Sequence, residues 1–484
     1  MAKQLTEQEK VKLLYSTIGN RGLYVSSNYD VFSEKPKEIS ILNGTYKLPL
    51  ITRGTNAYNS TLLFATLTSL LNHGTMMVTG APGIGKTTGL EFAGHFFSGT
   101  SLDEILEAEI QGNPQLKTED VIASLDTVKM VHNGEKEVLP TKFLRCPIKI
   151  WDEVIRTPAD LVSSAMKLVD TGKAVYQGVL LESPPGPLFV TANYADEGTF
   201  QLTPPFLDRF DVAVMTTSPQ PWDLKKIRQR GDEKLNGNLN ELLKIPEGLE
   251  LNFDKIRQEI KDMPESEDKG IPAVSSFADF VYASLRFSEA ASDNLARATK
   301  GNAWQITQDN SPPGHFTDSP FTYTINELSV RTAKAMERYG KAFAWVNGKN
   351  KVELEDFKSI APYLLWHKIQ PTQKASAENP KYANDRIAFI DGLISKIEQD
   401  YTEMQGSDIL NNYSVALEAL RSGNLLEKKL SDEEVDNVVK NAITKIGSLD
   451  KPYALTLAAH IASEYNTRYN GINASSNENN KNTK

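Results

Sequence analysis

The segment that decides the fold is Gly80–Thr88, which reads GAPGIGKTT. It follows the apolar run Thr75–Val78, which predicts a buried strand, and it precedes Leu90–Phe97, whose residues suit a helix. A strand, a glycine-rich loop and a helix, in that order, are the context of a phosphate-binding loop. A chance glycine-rich turn is the alternative, and it would not require both flanking elements.

The residues of this loop suit the binding of a nucleoside triphosphate. Glycines lack a Cβ atom, so the chain can turn tightly and direct several backbone N–H groups at one anion. The N-terminus of the next helix adds partial positive charge. Lys86 supplies a full charge to the β- and γ-phosphates, and Thr87 offers a hydroxyl to Mg²⁺. The predicted phosphate-binding residues are Gly80, Ala81, Pro82, Gly83, Ile84, Gly85, Lys86, Thr87 and Thr88.

Polar side chains also end two further predicted strands. Asp152 and Glu153 follow the apolar run Pro147–Trp151, and Asn193 follows Pro187–Ala192. In a parallel sheet the carboxyl ends of the strands meet at one crevice, where ligands bind. We therefore expect Asp152 to hold Mg²⁺ and Glu153 to activate a water molecule for attack on the γ-phosphate. The alternatives are a solvated surface pair for the carboxylates and a plain turn residue for Asn193.

Five segments together resemble AAA+ ATPases of the MoxR type, in the clade that has a hairpin inserted in the second helix and includes magnesium chelatase. The resemblance covers roughly residues 60–370. The segments are GAPGIGKTT (80–88), WDEVIRTP (151–158), VTANY (190–194), EGTFQLTPPFLDRFD (197–211) and LSVRTAKA (328–335). Three positions depart from the family pattern: Tyr194 and Val330 stand where proline is usual, and Ile155 where asparagine is usual.

The resemblance assigns further site residues. It implies that Asn193 is the sensor 1 residue, which contacts the γ-phosphate or the attacking water. It also implies that Arg209 is an arginine finger reaching the nucleotide of a neighbouring subunit, and that Arg331 is the sensor 2 arginine of the lid. An intramolecular salt bridge is the alternative role for Arg209, and an exposed helical charge is the alternative for Arg331.

The same resemblance implies the cofactors, the assembly and a partner. ATP and Mg²⁺ are the expected ligands, and an arginine finger supplied by a neighbour requires a homo-oligomeric ring, most simply a hexamer. Motors of this type often work with a separate protein that carries a von Willebrand A domain. We expect no membrane partner.

The predicted fold class is α/β: an AAA+ parallel-sheet core with an all-helical lid and an additional C-terminal helical region. Within the core, Lys149 is a charge in a strand expected to be buried on both faces, so we place it near the strand's beginning or with its ammonium directed outward. The predicted boundaries are 1–58 for an N-terminal segment wrapping the core, 59–217 for the core with a helix-2 hairpin insert at 172–186, 218–371 for the lid, 372–469 for the C-terminal helices and 470–484 for a disordered tail.

Composition limits the functions that the chain can have. It has 484 residues, 40% of them hydrophobic, with one cysteine and a formal net charge of -9. The polar N-terminus lacks the apolar core of a signal peptide, and the lone cysteine allows no internal disulfide, which together favour the cytoplasm. The negative net charge argues against a generally basic surface that would bind nucleic acid.

Three functions remain open at this stage. The first is a MoxR-like, ATP-driven chaperone or remodeller of proteins. The second is a nucleic-acid motor of the same clade, which the acidic balance and the lack of a recognisable DNA-binding module disfavour. The third is a nucleotide-stabilised scaffold with little turnover, which the intact Asp152–Glu153 pair disfavours. The sequence does not identify the client.

Overall fold

In the computed structural model, the chain forms two compact units. The first comprises Met1–Glu265 with Lys334–Lys368, and the second comprises Ser266–Ala333 with Ile369–Lys484. Within them, the structure describes residues 5–21, 23, 25, 38–41, 44–47, 60–133, 136–193, 203–216, 224, 227–228, 239–268, 271–285, 319–326, 328–406, 408–425, 428–448, 454, 457–458 and 460–467.

The secondary structure alternates strands and helices in the first 216 residues and becomes mainly helical afterwards. The strands are β1 (Glu38–Ile41), β2 (Gly44–Lys47), β3 (Thr75–Thr79), β4 (Ile110–Gln111), β5 (Ala123–Leu125), β6 (Val138–Pro140), β7 (Lys149–Asp152), β8 (Lys173–Tyr176), β9 (Val179–Glu182), β10 (Leu188–Ala192), β11 (Val212–Met215), β12 (Glu267–Asp268), β13 (Ile271–Pro272), β14 (Asn424–Leu425) and β15 (Lys428–Lys429).

The helices include one directly after the glycine-rich loop. They are α1 (Glu7–Asn20), α2 (Thr61–Leu70), α3 (Lys86–Ser98), α4 (Leu102–Ala108), α5 (Thr118–Val121), α6 (Thr127–Asn133), α7 (Lys142–Arg145), α8 (Ala159–Thr171), α9 (Pro204–Leu207), α10 (Leu239–Leu243), α11 (Phe253–Lys261), α12 (Ala273–Leu285), α13 (Val330–Val346), α14 (Leu354–Leu365), α15 (Gln373–Glu378), α16 (Arg386–Gly406), α17 (Ile409–Ser422) and α18 (Asp432–Gly447).

A five-stranded sheet organises the first unit. Its strand order is β11-β3-β10-β7-β4, and the paired strands within it run parallel. In this register Ala192 lies beside Thr79, and Asp152 lies beside Gln111. The carboxyl ends of β3, β10, β7 and β4 therefore share one edge of the sheet, here called the carboxyl edge. This confirms the predicted α/β parallel sheet.

Both faces of the sheet are covered, which explains why its strands are apolar throughout. Strand β10 is buried along its whole length, and Trp151 and Phe189 have no exposed surface. Helix α2 is equally buried, with residues 61–70 all shielded from solvent. Burial of one large apolar side chain contributes about 1.5–3 kcal/mol. The rigid layers so formed fix the strand ends that carry the site.

Lys149 is a buried charge at the beginning of β7, which is one of the two positions expected for it. Its side chain is 4% exposed, and its Nζ donates to the carbonyl oxygen of Cys146 at 2.9 Å. Burial lowers the pKa of Lys149 to about 8. The ammonium is therefore not directed outward, and its burial carries a cost at neutral pH.

The hairpin predicted at 172–186 is present, but its predicted place inside a helix is wrong. Strands β8 and β9 form it, and α8 ends at Gly172, whose φ of 66° is the left-handed conformation that glycine adopts easily. No helix follows before β10 begins at Leu188. A different hairpin, β5 with β6, lies in the preceding connection between β4 and β7, and it encloses α6.

The predicted lid of residues 218–371 is divided between the two units. Residues 334–368 belong with the α/β core, because α14 packs on β11 and α13 contacts α2 and the residue before β11. Arg338 Nη2 lies 3.1 Å from Oδ1 of Asp211, and Trp366 Nε1 donates to the carbonyl of Ala213 at 2.7 Å. These contacts depend on tertiary packing, which local sequence patterns do not reveal.

In its described residues, the second unit is mainly helical and contains two short two-stranded ladders. The ring of Tyr401 in α16 lies 5.1 Å from that of Phe277 and 5.2 Å from that of Phe280, both in α12. Helix α16 also buries an apolar stripe against the unit's core, formed by Ile387, Ile390, Leu393, Ile394 and Ile397. The helical character predicted for residues 372–469 agrees with this packing.

Some predictions fall on residues outside those described. They are the greater part of the helix expected at 222–230, the lid insertion expected at 296–320 and the disordered tail expected at 470–484. Within the described ranges, no helix is both long enough and apolar enough to cross a bilayer.

Candidate functional site

The glycine-rich loop joins the end of β3 to the first turn of α3. Gly83 and Gly85 have φ angles of 75° and 76°, in the left-handed region where glycine is favoured. Gly85 is the N-cap residue of α3, so the helix begins at Lys86. The loop therefore brings backbone N–H groups and a helix N-terminus together, which is the arrangement that binds phosphate.

Lys86 lies at the centre of the site. Its Nζ donates to the carbonyl oxygens of Gly80 at 3.1 Å and Ala81 at 2.8 Å, and to Oδ1 of Asn193 at 2.6 Å. Burial lowers the pKa of Lys86 below its ordinary value, while the nearby carboxylates of Asp152 and Glu153 act in the opposite direction. The ammonium group of Lys86 is therefore held beside the glycine-rich loop, where the predicted triphosphate would contact it.

Oxygen atoms converge at the predicted magnesium position. Thr87 Oγ1 donates to Oδ1 of Asp152 at 2.6 Å, and the hydroxyl of Thr191 donates to the same oxygen. In the part of the chain that the structure describes, no group of three or more His, Cys, Asp and Glu residues could hold a metal alone. Magnesium suits such a site, because it is usually bound by one or two carboxylates together with substrate phosphates and water.

Glu153 follows β7 and has an unusual backbone. Its φ is 50°, in the left-handed region that a non-glycine residue rarely adopts. Its Oε1 accepts a hydrogen bond from Asn193 Nδ2 at 2.7 Å. Its Oε2 accepts one from Gln111 Nε2 at 3.3 Å and lies 3.2 Å from Nη1 of Arg156. Three side chains thus fix the carboxylate, which is half-buried at the carboxyl edge.

A second acidic pair lies near Asp152. Burial raises the pKa of Glu109 to about 8, and the negative charges of Glu91 and Asp152, with a hydrogen bond to Glu91, act in the same direction. Glu109 comes directly before β4, and Glu91 lies in α3. A carboxyl group with this pKa stays protonated at neutral pH, so Glu109 adds no negative charge beside Asp152.

The backbone of Arg209 lies at the opposite edge of the sheet from this cluster. Arg209 follows α9, and its carbonyl oxygen accepts a hydrogen bond from Thr75 Oγ1 at 2.8 Å. Thr75 begins β3, so the backbone of Arg209 lies at the amino edge of the sheet, opposite the phosphate loop. Arg331 is an exposed residue in the first turn of α13 and falls in the second unit. The roles of both arginines remain predictions.

Three residues of the cluster were not anticipated from the sequence: Gln111, Arg156 and Thr191. Thr191 lies in β10 and Asn193 directly follows it, two positions later, so the period of two of an extended chain directs both side chains to one face. That alternation was an available signal. Gln111 ends a strand of only two residues, and so short a run gives no periodic pattern.

Comparisons with known proteins agree with this fold. Residues 326–388 match the family model described as an AAA lid domain. The crystal structure of a candidate ATPase from Cytophaga hutchinsonii is similar, with a TM-score of 0.52 and 18% sequence identity, over 81% of this chain and 94% of that chain. No curated protein sequence matches. The chain therefore has the fold of AAA+ ATPases, an α/β core with a helical lid.

Proposed function

We propose that this chain hydrolyses Mg-ATP at the carboxyl edge of its central sheet. The observation that carries the proposal is one continuous chain of hydrogen bonds, in which the Asn193 amide accepts from Lys86 and donates to Glu153. This chain joins Lys86, which we propose binds the phosphates, to Glu153, which we propose is the general base. A structural ion pair would need neither the amide nor the adjacent glycine-rich loop.

Each group has a definite task in this reaction. The loop N–H groups and Lys86 bind the phosphates, and Thr87 with Asp152 would hold Mg²⁺. The bound ion supplies charge neutralisation at the phosphate oxygens. Glu153 takes the proton of the attacking water, which contributes about 10²–10⁴-fold in rate for a well-placed general base. Asn193 orients that water or the γ-phosphate.

ATP is the proposed nucleotide. The resemblance to AAA+ ATPases favours ATP, and the sequence lacks the Asn-Lys-x-Asp pattern that reads guanine. Phosphate release from ATP and from GTP, with and without a magnesium chelator, tests the assignment. We expect release that is magnesium-dependent and specific for ATP. Turnover of GTP alone would overturn the nucleotide assignment, and no turnover with bound ATP would favour the scaffold function.

The active form is proposed to be a homo-oligomeric ring, most simply a hexamer. The charge that develops on the γ-phosphate in the transition state requires a further cation. An arginine that contacts this charge accelerates hydrolysis by about 10³–10⁵-fold. The position of Arg209 at the amino edge supports delivery to a neighbouring subunit, since the phosphate loop of its own subunit lies at the other edge. Arg331 is proposed as the sensor 2 arginine.

The finer function proposed is that of a MoxR-like remodeller of proteins in the cytoplasm, with a separate von Willebrand A-domain protein as partner. The motif set of the sequence and the lid match support it. Affinity capture with a Glu153→Gln variant tests it, because a motor stalled with ATP should retain its client. Recovery of a protein client in the presence of ATP, absent with a Lys86→Ala variant, is expected. DNA-stimulated hydrolysis without a protein client would favour the nucleic-acid motor instead.

A further inference from the structure

The peptide between Asp152 and Glu153 is held in an unfavourable conformation. Glu153 has a φ of 50°, where its Cβ atom crowds its own backbone, so the surroundings must supply the energy that keeps it there. The same peptide carries the predicted magnesium ligand and the predicted general base on consecutive residues. Any relaxation of it would therefore move both carboxylates together.

The hydroxyl of Thr191 contacts both halves of this peptide unit. It accepts the backbone N–H of Glu153 at 2.9 Å, and it donates its own proton to Oδ1 of Asp152. Thr191 has no exposed surface and sits in the middle of the sheet. One rigid side chain thus fixes the backbone of the candidate base and the side chain of the candidate metal ligand.

Gly112 holds the peptide from the other side. Its N–H donates to the carbonyl oxygen of Asp152 at 2.8 Å. A Cβ atom added at Gly112 would lie 2.2 Å from the carbonyl oxygen of Glu153 and 2.9 Å from Oγ1 of Thr157. Such distances are far shorter than a van der Waals contact, so a residue with a side chain here would push the Glu153 carbonyl away.

We propose that Thr191 and Gly112 are positioning residues that together hold Glu153 in its left-handed conformation and thereby set where its carboxylate meets the attacking water. This inference rests on the proposed ATP hydrolysis for its kinetic consequences. The conformational part stands independently of it. Neither residue contacts substrate in this proposal, since Gly112 acts through Glu153 and Thr191 acts through Glu153 and Asp152.

A matched pair of substitutions tests Thr191. Thr191→Val keeps the shape and removes the hydroxyl, whereas Thr191→Ser keeps the hydroxyl and removes a methyl group. We expect kcat to fall about 100-fold in Thr191→Val, as for partial loss of a general base, with little change in the Kd for a fluorescent ATP analogue measured without Mg²⁺. Thr191→Ser should keep most of the wild-type kcat. Equal losses in both variants would show that packing matters and would overturn the proposal.

Gly112→Ala is compared with Gly447→Ala, because a Cβ atom at Gly447 would meet no atom within 4 Å. We expect Gly112→Ala to lower kcat about 100-fold while nucleotide binding remains, and Gly447→Ala to change neither. Normal turnover in Gly112→Ala would overturn the role of the glycine.

A thermal double-mutant cycle separates this inference from the proposed function, because it requires no hydrolysis. Glu153→Gly removes the Cβ atom that restricts this backbone, so the peptide can move with little cost. Gly112→Ala should therefore lower Tm strongly in the wild-type protein, where residue 153 is glutamate. It should lower Tm much less in the Glu153→Gly background. Additive changes in Tm would refute the positioning role even if the protein hydrolyses ATP. Coupled changes with no ATP turnover would refute the proposed function alone.

Discussion

The Nζ atom of Lys86 lies 2.6 Å from Oδ1 of Asn193, and this contact joins the phosphate loop to the end of the neighbouring strand. The amide nitrogen of Asn193 in turn donates to Glu153 at 2.7 Å. A single side chain therefore links the group that would bind the phosphates to the group that would activate water. The parallel register of β10 with β3 and β7 brings it between them.

Replacing Asn193 should impair chemistry more than binding. In Asn193→Ala, Glu153 loses its closest partner while the phosphate loop remains intact. We expect kcat to fall about 100-fold and the Kd for nucleotide to change by less than about tenfold, or about 1.4 kcal/mol. Steady-state phosphate release and fluorescence titration measure the two quantities. Asn411→Ala, at an exposed position in α17, serves as control. A pure loss of affinity in Asn193→Ala would contradict the assignment.

Arg209 tests whether the site is completed by a neighbour. Arg209→Ala and Glu153→Gln should each lose hydrolysis, the former by about 10³–10⁵-fold. Mixing the two variants before assembly should recover part of the activity, because some interfaces then combine an intact Glu153 with an intact Arg209. Arg145→Ala, an exposed arginine in α7, should keep normal activity. If mixing restores nothing while mixed rings form, Arg209 does not act on the neighbouring nucleotide.

Lys149 gives the protein a defined dependence of stability on pH. Its pKa is lowered from 10.5 to about 8 in the folded chain. Between those values the unfolded chain binds a proton that the folded chain lacks, so the free energy of unfolding rises with pH across that window. The full effect is on the order of 3 kcal/mol.

Denaturant unfolding of Lys149→Met, at about pH 7.5 and about pH 10, checks this dependence. The variant should be the more stable protein at the lower pH, and its advantage should shrink at the higher pH. Lys142→Met serves as control, because that side chain is 58% exposed. An advantage for Lys149→Met that stays constant with pH would mean that the buried amine carries no such cost.

The elements around the phosphate loop were predictable because their signals are local. Glycines at 83 and 85 predict a tight turn, the apolar run before them predicts a buried strand, and the residues after them suit a helix, so β3 and α3 were predictable from the sequence. Asp152 and Asn193 were found in the same way, since each ends an apolar run. Parallel pairing then brings these ends to one edge of the sheet.

Other features depend on contacts between distant segments. Gln111 reaches Glu153 because β4 pairs beside β7, and no local sequence pattern indicates that pairing. The association of α13 and α14 with the core rests on contacts such as Arg338 with Asp211, which no local pattern indicates. The conformation of Glu153 likewise reflects the approach of Gly112, which directly follows β4.

The most direct test of the account is phosphate release by the assembled wild-type protein beside Glu153→Gln, with nucleotide binding measured on both. We predict magnesium-dependent release by the wild type, and binding of ATP without measurable release by the variant. Undiminished turnover in Glu153→Gln, or no turnover by a wild-type ring that binds ATP, would contradict the proposal that this site hydrolyses ATP.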